Sequence, residues 1–177
     1  LKEGKDMTEW RTQTSTSLLK FASTFHDDER SVSVLTNASQ TLFALNEYDQ
    51  AIKIATELVS KAGPKNPELK KTAYGIIAQS YFKKGNYQLA QSNYIAQRKL
   101  TNKKSAEYKE ISQQLAAATY KQAELWQDEK WLPQGVESLS KAQRSEKAIA
   151  TLLSLKQLAP KTNIRIIAQY DASSLML

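Results

Sequence analysis

The chain has 177 residues, of which 41% are hydrophobic and 24% charged, a balance typical of a globular protein rather than a disordered one. The absence of cysteine excludes disulfide bonds, thiolate metal sites and a cysteine nucleophile, and 5 glycines with 4 prolines argue against a turn-rich all-β fold. No apolar run is long enough to cross a bilayer, and the net charge of +7 keeps nucleic acid open as a partner.

The first predicted element is a helix over residues 7–26. Trp10, Leu18, Phe21 and Phe25 fall on one face of this helix at helical spacing. We interpret it as the second helix of a preceding hairpin. Because the chain begins without an initiator methionine and ends inside a helical pattern, we expect both ends to be cut from a longer protein.

Residues 31–63 and 68–101 each predict a pair of amphipathic helices joined by a tight turn. The four helices are predicted over residues 31–45 and 49–61 in the first pair and over residues 68–84 and 87–100 in the second. Corresponding residues recur 39 positions apart: Tyr48 and Tyr87, Ala51 and Ala90, and Tyr81 and Tyr120. A fixed period predicts stacked repeats, because one hairpin cannot bury its apolar face alone.

Residues 105–160 predict a third hairpin that is longer than the others. Ser105 is the expected N-cap, and the helical pattern then continues to about position 130, where Pro133 and Gly135 interrupt it. We predict that both arms extend by about two to three turns beyond their neighbours. The seam of the extension is predicted to contain Ala123, Trp126, Val136, Leu139 and Ala142. The alternative is a disordered loop over residues 126–142.

Residues 164–177 predict the first helix of a fourth hairpin. Its second helix is not part of this chain, so we expect its apolar face to lack a partner here. An uncovered face of this kind favours aggregation or a homodimer, since the ends of stacked repeats normally carry a polar cap.

The pattern around the Gly85-Asn86 turn is the most informative in the chain. The order of aromatic, apolar and small residues is Tyr74, Ile77, Ala78 and Tyr81 before the turn, and Tyr87, Ala90 and Tyr94 after it. This order resembles one tetratricopeptide repeat, a helix–turn–helix unit of about 34 residues. We assign the longer period of this chain to loops between repeats. The resemblance implies an all-α, right-handed superhelical solenoid of antiparallel helix hairpins; the alternative is an ordinary helical bundle.

The resemblance also implies a function. In the tetratricopeptide family, the first helices of successive repeats line a concave groove that holds a peptide or partner helix, so we expect a non-enzymatic protein-binding scaffold. The partner-binding positions by register are Asn37, Gln40, Phe43, Thr72, Ile76, Gln79, Phe82, Lys83, Ile111, Gln114, Ala118, Lys121, Gln169, Tyr170 and Ser173. Amides can satisfy a peptide backbone and aromatic rings can anchor its side chains. The alternative is that this face is merely solvated.

One binding mode of the family is disfavoured. Its chaperone-binding members grip a C-terminal carboxylate with Lys, Asn and Arg side chains. The matching positions here are Thr36, Gln40, Ile76, Ile111 and Leu115. None of them carries the required group, so we expect no carboxylate clamp.

No residue pattern predicts an enzyme, a cofactor or a metal site. There is no Gly-rich phosphate loop and no Ser/His/Asp set, and His26 is the single histidine. The paired acids Asp27 and Asp28, and Asp128 and Glu129, fall at predicted helix ends, where they cap or solvate the helix rather than perform acid–base chemistry.

Two other functions remain open at this point. A basic helical-repeat module that binds nucleic acid is suggested by a lysine cluster around the second repeat, namely Lys61, Lys65, Lys70, Lys71, Lys83 and Lys84. The favoured interpretation of this cluster is a solvated surface, since no run of five or six like charges marks a binding tail. A regulatory domain of a larger enzyme is the third hypothesis. Residues 18–25 and 168–175 resemble segments of bacterial periplasmic tetratricopeptide proteins, which suggests the cell envelope as the compartment.

Overall fold

The computed structural model describes residues 31–62 and 66–177, together with several positions between Trp10 and Thr24. The described positions of that early segment are helical. The greater part of the helix predicted over residues 7–26 lies outside the described residues, as do His26 and Lys65.

The described chain is all-α. From Ser31 onward its helices are α1 (Ser31–Ala44), α2 (Tyr48–Lys61), α3 (Pro67–Lys83), α4 (Tyr87–Lys99), α5 (Ala106–Gln127), α6 (Lys141–Leu158) and α7 (Asn163–Leu175). The bounds of α1 to α4 lie within about one residue of those predicted from the sequence. None of the helices in the described ranges is long and apolar enough to cross a membrane.

The turns within the first two helix pairs have the same backbone geometry. Asn46, between α1 and α2, has φ of 64°, and Gly85, between α3 and α4, has φ of 76°. Glycine adopts this left-handed conformation without steric cost, and asparagine tolerates it better than most residues. The Tyr48 hydroxyl also donates a hydrogen bond of 2.6 Å to the Asn46 side chain. Asn46 and Gly85 are 39 positions apart, so the local structure repeats at the predicted period.

The starts of α3 and α5 repeat at the same spacing. Asn66 and Ser105 are the N-caps, and their side chains accept hydrogen bonds from the backbone N–H groups of Leu69 and Tyr108, at 3.2 and 3.1 Å. An N-cap of this kind satisfies one of the N–H groups that a helix start leaves unpaired. The predicted capping role of Ser105 is confirmed.

The chain divides into two compact units between Gly85 and Asn86. In the first unit, α1 and α3 both pack on α2 and contact each other. Its core contains Leu35, Ala38, Leu42, Ala51, Ile54, Ala55, Leu58, Ala73, Ile76 and Ile77. Each fully buried leucine among them contributes about 1.5–3 kcal/mol relative to an exposed one.

The second unit contains a similar arrangement of helices. Here α4 packs on α5, both α5 and α7 pack on α6, and α5 contacts α7. The core contains Ala116, Ala123, Leu152, Leu155, Ala159, Ala168 and Ala172. The many alanines permit close approach of the helices, and the leucines fill the space between them. The hairpin predicted from Tyr74 to Tyr94 joins α3 of one unit to α4 of the other, and the packing of those two helices stays a prediction.

The elongated third hairpin is only partly present. As predicted, α5 continues past position 120, but it ends at Gln127, and α6 begins only at Lys141. Residues 128–140 form an irregular loop that contains Val136 and Leu139, and Ala142 is exposed. The predicted helical seam was therefore wrong for Val136 and Leu139, which lie in the loop, and for Ala142, which is helical but exposed. The reason is a capping box, in which the Ser140 and Gln143 side chains each bond the other's backbone N–H and fix the start of α6.

A buried arginine ties this loop to α6. Arg144 is 6% exposed, and its guanidinium donates hydrogen bonds to the backbone carbonyls of Asp128, Trp131 and Glu129 at 2.7, 2.8 and 3.2 Å. The Trp131 ring packs edge-on against the Trp126 ring, with centroids 5.0 Å apart. The loop is therefore an ordered part of the second unit.

Candidate functional site

The predicted partner-binding residues of the first unit lie on α1 and α3. Asn37, Gln40 and Lys83 are exposed, and Thr72, Gln79 and Phe82 are partly buried. Phe43 packs against the Tyr48 ring, with centroids 5.6 Å apart. Ile76 is 9% exposed and belongs to the core cluster of this unit, so its side chain stabilises the unit and offers little surface to a partner.

The second unit carries the remaining predicted positions on α5 and α7. Lys121, Gln169, Tyr170 and Ser173 are exposed, and Gln114 is partly buried. Ile111 and Ala118 are 2% and 0% exposed, so neither can contact a partner in this conformation. Because α5 contacts α7, the predicted residues on these two helices lie on neighbouring helices of one unit.

A cavity of about 350 Å³ lies in the groove between α5 and α7. Its lining consists of Tyr120, Ala123, Glu124, Gln127, Leu152, Asp171, Ser174 and Leu175. Leu152 comes from α6 and forms part of the floor of the groove. We call this feature the α5–α7 cavity. None of its lining residues was among the predicted site residues.

A tyrosine–aspartate pair dominates the polar side of the α5–α7 cavity. The Tyr120 hydroxyl donates a hydrogen bond of 2.5 Å to Asp171 Oδ2. This bond, with burial and the charge of Asp171, raises the pKa of Tyr120 to about 12. Tyr120 was recognised in the sequence as a repeat position equivalent to Tyr81, but no local pattern indicated that Asp171 would lie opposite it.

An ion pair lies at the edge of the same cavity. Lys121 Nζ is 2.6 Å from Glu124 Oε2, one helical turn along α5. The hydrogen bond and charge of Glu124 raise the pKa of Lys121. Both side chains are about half exposed, so the pair is solvent-screened and adds little to stability. The ion pair instead affects the charge of the cavity, because Lys121 compensates Glu124, one of the two carboxylates in the lining.

The high pKa of Tyr120 leads to a testable dependence on alkaline pH. The folded pKa exceeds the ordinary value of 10.0, so the folded state retains a proton that the unfolded state has lost. The contribution of Tyr120 to stability is therefore complete below pH 10 and decreases as the pH rises towards about 12. We expect ultraviolet absorbance titration to show a late phenolate transition that Asp171→Ala moves to lower pH.

Tyr94 supplies the control for this titration. Burial alone raises its pKa to about 12, with no contribution from Asp171. The Asp171→Ala substitution should leave the Tyr94 transition in place, and Tyr94→Phe should leave that of Tyr120. A titration of Tyr120 that is unchanged in Asp171→Ala would contradict the assignment.

Large apolar side chains are exposed on α7 beside the cavity. Ile166, Ile167 and Tyr170 are 61%, 53% and 74% exposed and share one side of the helix. Ile167 lies one turn before Asp171, and Tyr170 one turn before Ser174, so this apolar strip continues into the cavity lining. Contiguous apolar surface of this kind marks interaction sites more often than isolated exposed residues do.

The lysine cluster noted in the sequence is partly compensated by acids. Lys61 lies 3.5 Å from Glu57, and Lys71 lies 2.7 Å from Glu68. Lys84 is paired with Asp49, which precedes it by 35 positions. Since neighbouring carboxylates reduce the positive field that attracts phosphate, the structure adds no support to nucleic-acid binding.

A second cavity, of about 340 Å³, lies among α4, α5 and α6. Its lining is Gln88, Gln91, Gln122, Trp126, Ala150, Thr151 and Ser154. Gln122 is 6% exposed, and its Nε2 has no hydrogen-bond partner among the described residues. Buried amides beside polar cavities are commonly satisfied by ordered water.

Comparison of the chain with protein-family models, with curated proteins and with solved structures found no match. Within the described ranges, no group of three or more His, Asp or Glu side chains has an arrangement that could hold a metal ion. The features of the described chain that bear on function are the helices, the α5–α7 cavity and the apolar strip of α7.

Proposed function

We propose that the chain is a non-enzymatic protein-binding scaffold of tetratricopeptide-like helix hairpins, and that it binds a peptide of a partner protein between α5 and α7. The observation that supports the proposal best is the apolar strip of α7 beside the α5–α7 cavity. A peptide that covers Ile167 and Tyr170 can bury apolar area and place a side chain into the cavity at the same time.

The packing order within each unit supports the tetratricopeptide-like arrangement. In both units, two helices pack on the helix between them and also contact each other, as first helices of successive hairpins do on either side of a second helix. The left-handed residues Asn46 and Gly85 and the N-caps Asn66 and Ser105 repeat every 39 positions. We propose that these hairpins stack as a right-handed solenoid with the groove on its first-helix face.

The predicted polar residues of α5 and α7 suit an extended peptide. Gln169 and Ser173 are exposed on α7, and Gln114 is partly buried on α5. Amide side chains can donate and accept, so they can satisfy both groups of a peptide backbone. Tyr170, 74% exposed, is the aromatic anchor in this arrangement, because tyrosine buries a large area at small cost in conformational entropy.

Selection of random peptides on the full chain tests this function. We expect selected peptides to bind with an affinity that Tyr170→Ala lowers by about tenfold or more, as loss of a central aromatic anchor does. Leu153→Ala is the matched control, because Leu153 is also an exposed apolar residue, at 45%, but lies on the solvent face of α6. Fluorescence anisotropy with labelled peptides gives the affinities.

Binding experiments on the same protein also distinguish peptide binding from nucleic-acid binding. If no peptide is selected, or if Tyr170→Ala and Leu153→Ala have equal effects, the groove is not the binding site. Single-stranded and duplex oligonucleotides serve as a second set of probes. Binding of these at low salt, with a steep loss as salt rises, would favour the nucleic-acid alternative.

A further inference from the structure

The charge of the α5–α7 cavity is opposite to that of the chain. The protein carries a net charge of +7, yet the charged residues that line this cavity are Glu124 and Asp171. None of the described residues in the lining is basic. A cavity lined by one sign of charge attracts groups of the other sign, here cations.

The two carboxylates are not equivalent. Glu124 is paired with Lys121, whose Nζ lies 2.6 Å away. Among the described residues, Asp171 accepts a hydrogen bond from Tyr120 and has no cationic partner. Its charge is thus the uncompensated one in the cavity, and the Tyr120 hydroxyl holds the carboxylate in a fixed orientation through Oδ2.

The remainder of the lining fits the stem and the head of one particular side chain. Leu175 and the ring of Tyr120 are partly exposed, and they give apolar surface against which a chain of methylene groups can pack. Gln127 and Ser174 add oxygens that accept hydrogen bonds. Arginine combines such a stem with a planar head of five donors, and its pairing with carboxylate is stronger and more directional than that of lysine.

We propose that the α5–α7 cavity binds an arginine side chain of the partner peptide, with its guanidinium on Asp171 and a neighbouring apolar residue packed on Ile167 and Tyr170. This inference rests on the proposed peptide-binding function and specifies the partner: a segment that carries arginine next to an apolar residue. It assigns Asp171 as the residue that selects for positive charge.

Peptides selected on the full 177-residue chain are the probes for this proposal. Each selected peptide is compared with a version in which arginine is replaced by citrulline, which has nearly the same shape but no charge. We expect the replacement to weaken binding to the wild-type protein by about tenfold, the effect of losing one charge-assisted interaction. We expect no further effect of citrulline when the protein carries Asp171→Asn.

Two features keep the test independent of folding. In the Asp171→Asn variant, the amide oxygen of the new side chain can still accept the Tyr120 hydrogen bond, and the citrulline change leaves the protein itself untouched. Glu146→Gln is the matched control, because Glu146 is an exposed acid on α6 of the same unit. Its removal should leave the difference between arginine and citrulline unchanged.

The outcomes separate this inference from the function on which it rests. Peptides that depend on Tyr170 but bind equally with arginine or citrulline would overturn the arginine assignment and leave the groove intact. Equal effects of Asp171→Asn and Glu146→Gln would also overturn it. Failure to select any peptide that depends on Tyr170 would overturn both.

Discussion

Leu155→Ala should reduce the free energy of unfolding of the second unit by about 2–5 kcal/mol, the range for truncation of a buried leucine. Leu155 is 0% exposed and belongs to the core in which α5 and α7 pack on α6. Alanine removes apolar contact and leaves a cavity that rigid helices fill only partly. Urea unfolding followed by tryptophan fluorescence measures the loss, since Trp126 and Trp131 lie in this unit.

The matched control for this substitution lies two residues earlier on the same helix. Leu153 is 45% exposed, so Leu153→Ala removes the same atoms from a surface position. We expect a change within about 0.5 kcal/mol for that variant. Comparable losses in the two variants would show that α6 does not face the core through Leu155, and the packing described for the second unit would be incorrect.

Arg144→Ala should lower the stability of the second unit by about 2–3 kcal/mol, typical of lost hydrogen bonds to a charged donor. The guanidinium of Arg144 is the donor to three carbonyls of the loop after α5, at Asp128, Glu129 and Trp131. Alanine supplies no donor to any of them, so the loop loses its attachment to α6. We also expect faster tryptic cleavage after Lys130, which is exposed in this loop.

Two further variants define what the Arg144 side chain contributes. Arg144→Lys keeps the charge but lacks the planar fork that reaches several carbonyls, so we expect it to recover only part of the stability. Lys141→Ala removes an exposed cation from the first turn of α6 and should change neither stability nor cleavage at Lys130. If Arg144→Ala leaves both measurements at the wild-type level, the loop is held by other contacts.

Most of the helical architecture was predictable because it depends on local information. Apolar spacing predicted α1 to α4 almost residue by residue, and the recurrence of Tyr48 at Tyr87 indicated the period. The turn at Asn46 and Gly85 is set by residues that tolerate a left-handed conformation, which is also local. Such features persist whatever the tertiary surroundings are.

The sequence contained a signal against the predicted extension of the third hairpin, but the apolar periodicity was given more weight. Absence of glycine and proline after Val136 permitted a helix there, but Ser140 and Gln143 have the spacing of a capping box. The capping box fixes the start of α6 at Lys141, whereas apolar spacing alone does not mark where a helix begins. Arg144, by contrast, shows its role only through the carbonyls that the folded loop brings to it.

The tetratricopeptide register placed most of the predicted partner-binding residues at exposed or partly exposed positions, but not all of them. It selected Ile76, Ile111 and Ala118 as partner-facing, yet the structure buries all three. Register assigns a face to each helix, but the rotation of that helix against its neighbours decides which edge of the face stays exposed. Tyr170 is exposed, as an anchor for a partner must be, and its role in binding stays a prediction.

The sequence by itself determined the all-α class, the bounds of α1 to α4, the 39-residue spacing of equivalent residues and the Ser105 cap, because each depends on residues in a local or recurring pattern. Only the tertiary structure decided that Asp171 lies against Tyr120, 51 positions earlier, and that both line a cavity with Leu152. It also decided the division between units at Gly85 and Asn86. These contacts join residues distant in the chain, and no local pattern encodes them.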